Sequence, residues 1–335
     1  MSYIEISREN FFYNLNQIAA KTQSKEKIAL VLKDNAYGHG LNLMAKLAAE
    51  WGVRHSVVRT MAEAAQIRDL FETVLVLSDT PAEDPGQSIR IAVNSLDQLR
   101  RIPPHTSIEL KVDTGMHRNG IVSEELTIAL DIVGARQLRL TGIMTHYRSA
   151  DEMGSDFFWQ RKRFEAVRGA AEKLGVGDIR WHSCNSAALF RTQCFDEDIA
   201  RIGIAAYGCL RMPDSFHIPH LKPVMTLWAE RVATRNVRKS ERIGYGGEGQ
   251  VDSGMVSTYD IGYGDGWLRG NAANPYRLPD GRDLVGRVSM DLISVEGEDD
   301  KLCLFDDASE AAEQFNTIGY DILVKLSPDI RRIVV

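Results

Sequence analysis

The sequence predicts an α/β protein in which an N-terminal, TIM-like (β/α)8 barrel is followed by a β-rich C-terminal domain. Three observations carry that expectation. Eight short runs rich in β-branched residues lie between residues 27 and 205, helix-period segments separate them, and beyond residue 222 short alternating stretches lie between Gly- and Asp-rich turns.

The eight runs are Ile28–Lys33, His55–Thr60, Thr73–Ser78, Ile89–Asn94, Ser107–Asp113, Leu138–His146, Ile179–Cys184 and Asp198–Ile204. Apolar runs alternating with helical segments mark βα units and a parallel sheet, and eight of them fit a closed barrel better than a doubly wound open sheet. Among the helices, Ser155–Leu174 places Phe157, Phe164, Val167, Ala171 and Leu174 at helical spacing, with Ser155 or Asp156 as the starting cap and Gly175 as the stop. Leu41–Trp51 sets Met44, Leu47, Ala48 and Trp51 on one face before Gly52 ends it. In the second domain, strands are expected at Val256–Ile261, Leu284–Val295, Lys301–Phe305 and Asp321–Lys325. The opening alternation of Ser2–Ser7 suits a further strand of that domain. The expected division is therefore a barrel over residues 9–222 and a second domain over 223–335 together with the strand in 1–8.

Composition narrows the partners. The 335 residues are 44% hydrophobic and 26% charged, without the bias of a disordered or fibrous chain. A net charge of −6 with scattered Lys and Arg argues against a nucleic-acid or anionic-membrane footprint and for a small-molecule substrate. The N-terminus lacks the basic start and apolar core of a signal segment, and no apolar run approaches ~18 residues, so a cytoplasmic protein is expected. The cysteines Cys184, Cys194, Cys209 and Cys303 form no C-x-x-C pair and read as reduced thiols. His217 and His220 are separated by Pro219, which breaks the helix that would aim both at a metal; a surface turn is expected there, and no metal site.

The sharpest local pattern is Val31-Leu32-Lys33-Asp34-Asn35-Ala36-Tyr37-Gly38-His39-Gly40, directly after an apolar strand. An amine desolvated at the mouth of a barrel loses its proton more readily and can attack an aldehyde. Position alone leaves a surface lysine as the ordinary reading. Further motifs follow in order: Lys111-Val112-Asp113-Thr114-Gly115-Met116-His117-Arg118-Asn119-Gly120, Thr145-His146, His182-Ser183-Cys184-Asn185-Ser186-Ala187-Ala188, and Arg201-Ile202-Gly203-Ile204. Beyond them come Gly244-Tyr245-Gly246, Ile261-Gly262-Tyr263-Gly264-Asp265-Gly266, Gly286-Arg287-Val288-Ser289-Met290-Asp291 and Tyr320.

This ordered set resembles the alanine racemase family, pyridoxal-phosphate enzymes of fold type III, along residues 31 to 320. The resemblance implies that Lys33 carries pyridoxal 5'-phosphate as a Schiff base. It also implies that Tyr37, Asn185, Ser186, Tyr320 and the backbone of Gly203 and Ile204 bind the cofactor, chiefly at its phosphate. Backbone N–H groups and short hydroxyls suit a phosphate dianion. Arg201 is implied to face the pyridine nitrogen, linked to His146. Racemisation removes a proton from one face of Cα and returns it to the other, so two acid–base groups are needed. Lys33 is implied for one, and Tyr245, from the second subunit of a homodimer with shared sites, for the other. Arg118 and the backbone of the partner's Met290 are implied contacts for the substrate carboxylate, a sensible use of a bidentate guanidinium. Lys111 matches a position often carbamylated, which would orient Arg118. Tyr263 and Asp291 are implied to line the way in, and Asp265 to serve a turn or to support the residues that line the site.

Three features depart from the family pattern: Asp34 where many relatives carry Ala, Gly244 where Ser is frequent, and a close at Asp329-Ile330-Arg331-Arg332-Ile333-Val334-Val335 without the common R-V-P-R. The reading that follows is interconversion of L- and D-alanine, supplying D-alanine for peptidoglycan. Its rivals are a serine, lysine or broad-specificity racemase of the same fold, a decarboxylase, and a non-catalytic pyridoxal-phosphate-binding protein.

Overall fold

The computed structural model describes all residues from Met1 to Val335. After β1 (Tyr3–Ile6), the barrel is built from β2 (Ile28–Val31), β3 (His55–Val58), β4 (Thr73–Val76), β5 (Ile89–Val93), β6 (Ser107–Lys111), β7 (Arg139–Met144), β8 (Arg180–His182) and β9 (Ala200–Ile202). Every pairing among them is parallel, in the order β8-β7-β6-β5-β4-β3-β2-β9. The ring is completed between β8 and β9 by backbone bonds, Asp198 N–H to the Trp181 carbonyl at 3.2 Å and Arg201 N–H to the Cys184 carbonyl at 2.9 Å. All eight expected barrel strands are present, each ending one or two residues short of the expected stop. The residues left over, including Lys33, Arg59, Asn94 and His146, stand at the strand ends, where a parallel barrel gathers its chemistry.

Strands covered on both faces read as continuous apolar runs, and β2 is buried at all four positions. The helix Leu41–Trp51 has its expected bounds, stopped by Gly52 at φ 108°. The helix expected over Ser155–Leu174 runs from Asp156 to Lys173. Ser155 occupies its cap position without a capping side-chain bond, and Gly175 follows at φ 80°. A first helix, Arg8–Thr22, leads into the barrel.

The second sheet is built on β10 (Met225–Arg238), a 14-residue strand, with β11 (Ser253–Tyr259), β12 (Ile293–Glu296), β13 (Lys301–Phe305) and β14 (Arg331–Val334). β1 joins this sheet as expected, antiparallel to β10 and parallel to β14. Two expectations fail. Asp321–Lys325 is not a strand but part of the helix Gly319–Lys325, which buries the adjacent pair Ile322 and Leu323. Of Leu284–Val295, only the end enters a strand; the remainder turns through Gly286 at φ 74° and touches the sheet by a single bridge from Leu284 to Val295. One core of 89 buried residues runs through both sheets. No helix is long and apolar enough to cross a membrane.

Asn14 ties these parts together. Fully buried, its Nδ2 donates to the carbonyls of Ala206 (3.1 Å) and Lys222 (2.7 Å), and its Oδ1 accepts from Lys222 N–H at 2.8 Å. It thereby pins the first helix to the segment between β9 and β10. Asn14→Ala leaves three buried polar groups unpaired and should cost about 2–3 kcal/mol of unfolding free energy, read from the urea midpoint; an unchanged midpoint would refute the tie.

Candidate active site

The barrel mouth opens into a cavity of about 930 Å³ whose walls include Lys33, Tyr37, Lys111, Arg118, His146, Asn185, Ser186, Arg201, Gly203, Ile204 and Tyr320. The structure thus brings the expected cofactor residues and the expected substrate arginine of one chain to one place.

Lys33 ends β2 and begins an unusual turn. Asp34, Asn35, Ala36 and Tyr37 all lie in the left-handed region, with φ of 53°, 55°, 53° and 52°. L-residues resist this conformation, so each must be held. Asp34 N–H donates to Glu63 Oε1 at 2.7 Å, Ala36 N–H to the Leu32 carbonyl at 2.9 Å, and Leu41 N–H to Asn35 Oδ1 at 2.8 Å. The His39 ring donates from Nδ1 to the Tyr37 carbonyl at 2.9 Å; burial pushes this histidine down to about 4, so it is neutral at physiological pH. Gly38, at φ 78°, passes so near the helix Gly319–Lys325 that a Cβ would sit 2.0 Å from the Leu323 carbonyl oxygen. Arg332, from β14, closes the turn by donating to the Gly38 carbonyl from Nε (3.1 Å) and Nη2 (2.9 Å). Lys33 itself is about a third exposed, less enclosed than its position suggested, and lies 3.6 Å from Asp34.

Arg201 is buried on β9, the strand paired with β2 on the side away from β3. Its hydrogen bonds leave from the two terminal nitrogens, to His182 Nδ1 (2.5 Å) and to the carbonyls of His182 (3.1 Å), Thr145 (2.7 Å) and Ser183 (3.2 Å). The expected link to His146 is therefore replaced by one to His182. Because the guanidinium only donates, His182 Nδ1 accepts, and its Nε2–H donates to Glu109 at 2.7 Å. Glu109 also pairs with Arg90 at 3.1 Å and Arg180 at 3.7 Å. Burial works to raise the Glu109 carboxyl, but His182, Arg180 and Arg90 outweigh it and hold it well below the carboxylate range. Burial pushes His182 down despite Glu109, which keeps the imidazole neutral. Gly142 on β7 makes room for this crossing, since a Cβ there would stand 3.2 Å from the Glu109 side chain. Glu109 and His182 were missed as functional residues, although Glu109 is two positions before Lys111 and so shares its strand face.

His146 is pushed down to about 3, by burial first and then by Arg201, and is a neutral neighbour rather than half of a cationic pair. Burial, reinforced by Arg118 and Arg201, lowers Lys111 to about 8, and its amine donates to Asn119 Oδ1. Arg118 is exposed on the cavity wall.

At the far end, Ser186 Oγ accepts from the N–H groups of Gly203 (3.2 Å) and Ala205 (3.3 Å). A Cβ on Gly203 would meet the Tyr37 hydroxyl at 2.4 Å, so only glycine permits this approach. Tyr320 packs beside Tyr37 with ring centroids 5.7 Å apart. Asn185 lines the cavity while its side chain caps the helix Ser186–Arg191 through Ala188 N–H at 2.9 Å.

The remaining expected residues lie elsewhere. Tyr245, Tyr263, Met290 and Asp291 do not line this cavity. They stand exposed on the second domain, where Gly264 N–H donates to the Met290 carbonyl at 2.8 Å and Gly262 N–H to Asp265 at 2.9 Å, the turn role expected of that aspartate.

A (β/α)8 barrel with a lysine in its mouth, a buried arginine in the same cavity and a strand-rich companion defines an enzyme acting on a small molecule. Residues 6–211 match the family model for the alanine racemase N-terminal domain, and residues 224–334 that for the C-terminal domain. The chain is 43% identical over 337 residues to the alanine racemase of a Nitratiruptor species, covering 99% of each, and 40% identical over 336 residues to that of Campylobacter jejuni (strain RM1221), covering 100% of each. Among solved structures, the alanine racemase of Clostridium difficile 630 superposes with a TM-score of 0.90 at 27% identity, covering all of this chain and 95% of that one. That of Bacillus anthracis with bound L-Ala-P gives 0.89 at 28%, with the same coverage. The chain belongs to the alanine racemase family.

Glu109 has a folded value depressed below its ordinary 4.5, so its stabilisation is fully present above that pH and is lost as the pH falls below it. Glu109→Gln should cost about 3 kcal/mol at pH 7, because Arg90 and Arg180 lose a buried counter-charge. It should also flatten the acid limb of stability below pH 4.5. Urea midpoints against pH check both, and parallel curves for the two proteins would contradict the assignment.

Proposed function

We propose that this enzyme interconverts L- and D-alanine on pyridoxal 5'-phosphate, with residues 9–222 as the cofactor barrel and 223–335, with the strand in 1–8, completing the site. The observation that carries the reading is the meeting, in one cavity, of an amine on a constrained turn, a buried guanidinium and a hydroxyl-lined cradle that only a glycine at 203 leaves open. Those groups fit the cofactor. Tyr37, Ser186, Tyr320 and the backbone of Gly203 and Ile204 would hold its phosphate, and Lys33 its carbonyl carbon. Bound there, pyridoxal phosphate supplies a ring that withdraws electrons and acidifies the substrate Cα–H.

Arg201 would face the ring nitrogen of the bound cofactor. All of its hydrogen bonds to the protein use the terminal nitrogens, so Nε is left for that contact. A guanidinium keeps its own proton, which disfavours transamination relative to return of a proton to Cα. His182 and Glu109 fix the orientation of Arg201. Arg118 holds the substrate carboxylate. Lys111 as a free cation repels Arg118, and as a carbamate it would attract it.

Lys33 moves a proton at one face of Cα. The other face is served by Tyr245 of the partner subunit in a homodimer, with the partner's Met290, Tyr263 and Asp291 beside it. Exposure of these side chains on the second domain, away from their own cavity, supports that arrangement. Because His146 is neutral, the cationic help that a phenol needs as a base comes from Arg201. An enzyme of this kind, acting in the cytoplasm, supplies D-alanine for peptidoglycan.

Lys33→Ala should lose both the cofactor absorbance and turnover; a fully active variant would sink the assignment. Tyr245→Phe should keep the cofactor and lose at least about 100-fold in kcat, the worth of a positioned acid–base group, and unchanged turnover would remove Tyr245 from the reaction. Chiral assay of L-alanine, L-serine and L-lysine fixes the substrate: alanine should turn over fastest, and preference for another would reassign it.

A further inference from the structure

Asp34 stands next to Lys33 and has no part in the reaction proposed above. Its carboxylate faces two cations at once. Oδ2 lies 3.6 Å from Lys33 Nζ, and Oδ1 lies 3.3 Å from Arg59 Nη1. A third residue sets this geometry. Glu63 accepts Asp34 N–H on one oxygen at 2.7 Å, and on the other the N–H groups of Arg59 (2.7 Å) and Thr60 (3.1 Å), so the turn after β2 and the loop after β3 are clamped to one carboxylate. The remaining groups around Lys33 carry no negative charge: His146 from the end of β7 is neutral, and Lys111 on β6 and Arg201 on β9 are cationic. Of the three carboxylates lining the cavity, Asp34, Asp151 and Glu313, only Asp34 pairs with Lys33.

An amine that both takes up and gives up a proton in each cycle needs a partner that receives the ammonium without trapping it. We propose that Asp34 is a positioning residue for Lys33, its carboxylate holding the protonated amine whenever that amine is not covalently engaged, and that Arg59 loosens this hold by competing for the same carboxylate. The proposal rests on the reading of Lys33 as anchor and base. Because the pair is about one-third exposed, solvent screens it and its hold is weak, as suits a reversible step.

The test uses Asp34→Asn and Arg59→Gln, since asparagine tolerates the left-handed backbone at 34. In the full-length chain stripped of cofactor, the pH dependence of Lys33 acetylation by acetic anhydride, read by mass spectrometry, reports the neutral amine without reference to turnover. Asp34→Asn should move the midpoint down by about half a pH unit, Arg59→Gln up by a similar amount, and the double variant should follow Asp34→Asn. In the loaded enzyme the pH profile of kcat should move in the same two directions, with KM little changed. An unmoved midpoint in Asp34→Asn, or shifts of the same sign in both variants, overturns the proposal. If the midpoints move as stated but the unsubstituted enzyme racemises no amino acid, the racemase reading falls and the Asp34 pairing stands. Racemisation with insensitive midpoints removes Asp34 alone.

Discussion

Four consecutive side-chain-bearing residues held at positive φ are the constraint around which this molecule is arranged. Each costs on the order of 1–2 kcal/mol relative to right-handed backbone, so the turn persists only because its surroundings over-determine it. The restraints come from every direction: Leu32 from the preceding strand, Glu63 from the neighbouring unit, His39 from within, and the Leu323 carbonyl and Arg332 from the last part of the chain. Leu323 lies on the helix between β13 and β14, and Arg332 on β14 itself, which is paired with β1. The direction of Lys33 is therefore set jointly by the barrel and by the other end of the sequence.

The second organising element is the buried chain Arg90–Glu109–His182–Arg201, which crosses from β5 to β9. Each member answers the desolvation of the next. Burial neutralises the histidine, but the carboxylate stays ionised because two guanidiniums flank it. The outcome is a guanidinium at Arg201 oriented in part by His182 and Glu109, neither of which lines the cavity. Removing Glu109 leaves the Arg90 and Arg180 guanidiniums without their shared counter-charge, which is more expensive than never having built the pair.

How much of this was legible in the sequence follows from which interactions are local. The eight barrel strands could be read because most are short, largely apolar runs punctuated by loops. Their C-terminal ends were overrun because residues such as Asp113 and His146 continue the pattern into the loops that carry the chemistry. Asp321–Lys325 shows the limit of periodicity over five residues: Ile322 and Leu323 are buried side by side, as on a helix, and a run this short fits a strand equally well. The long β10 escaped because a bulge between Arg231 and Ala233 interrupts its alternation and its far half is largely exposed. Likewise, nothing local says which of two histidines meets Arg201. That choice depends on the register of β7, β8 and β9, and the barrel settles it in favour of His182. Arg332 is harder still, since its partners at Gly38 lie 294 positions away.

The second domain presents the opposite physical situation. Tyr245 is 66% exposed and Met290 55%, with Tyr263 and Leu292 nearby also open to water. These are not disordered loop tips. Gly262 packs so tightly on this region that a Cβ would lie 2.2 Å from the Met290 carbonyl oxygen, and Gly244 adopts φ 73° to present Tyr245. A surface that spends glycine conformations to hold aromatic and thioether side chains in solvent is shaped for contact. The cavity's own wall offers a lysine but not this tyrosine, so the proposed exchange between subunits makes association and proton transfer depend on the same few side chains.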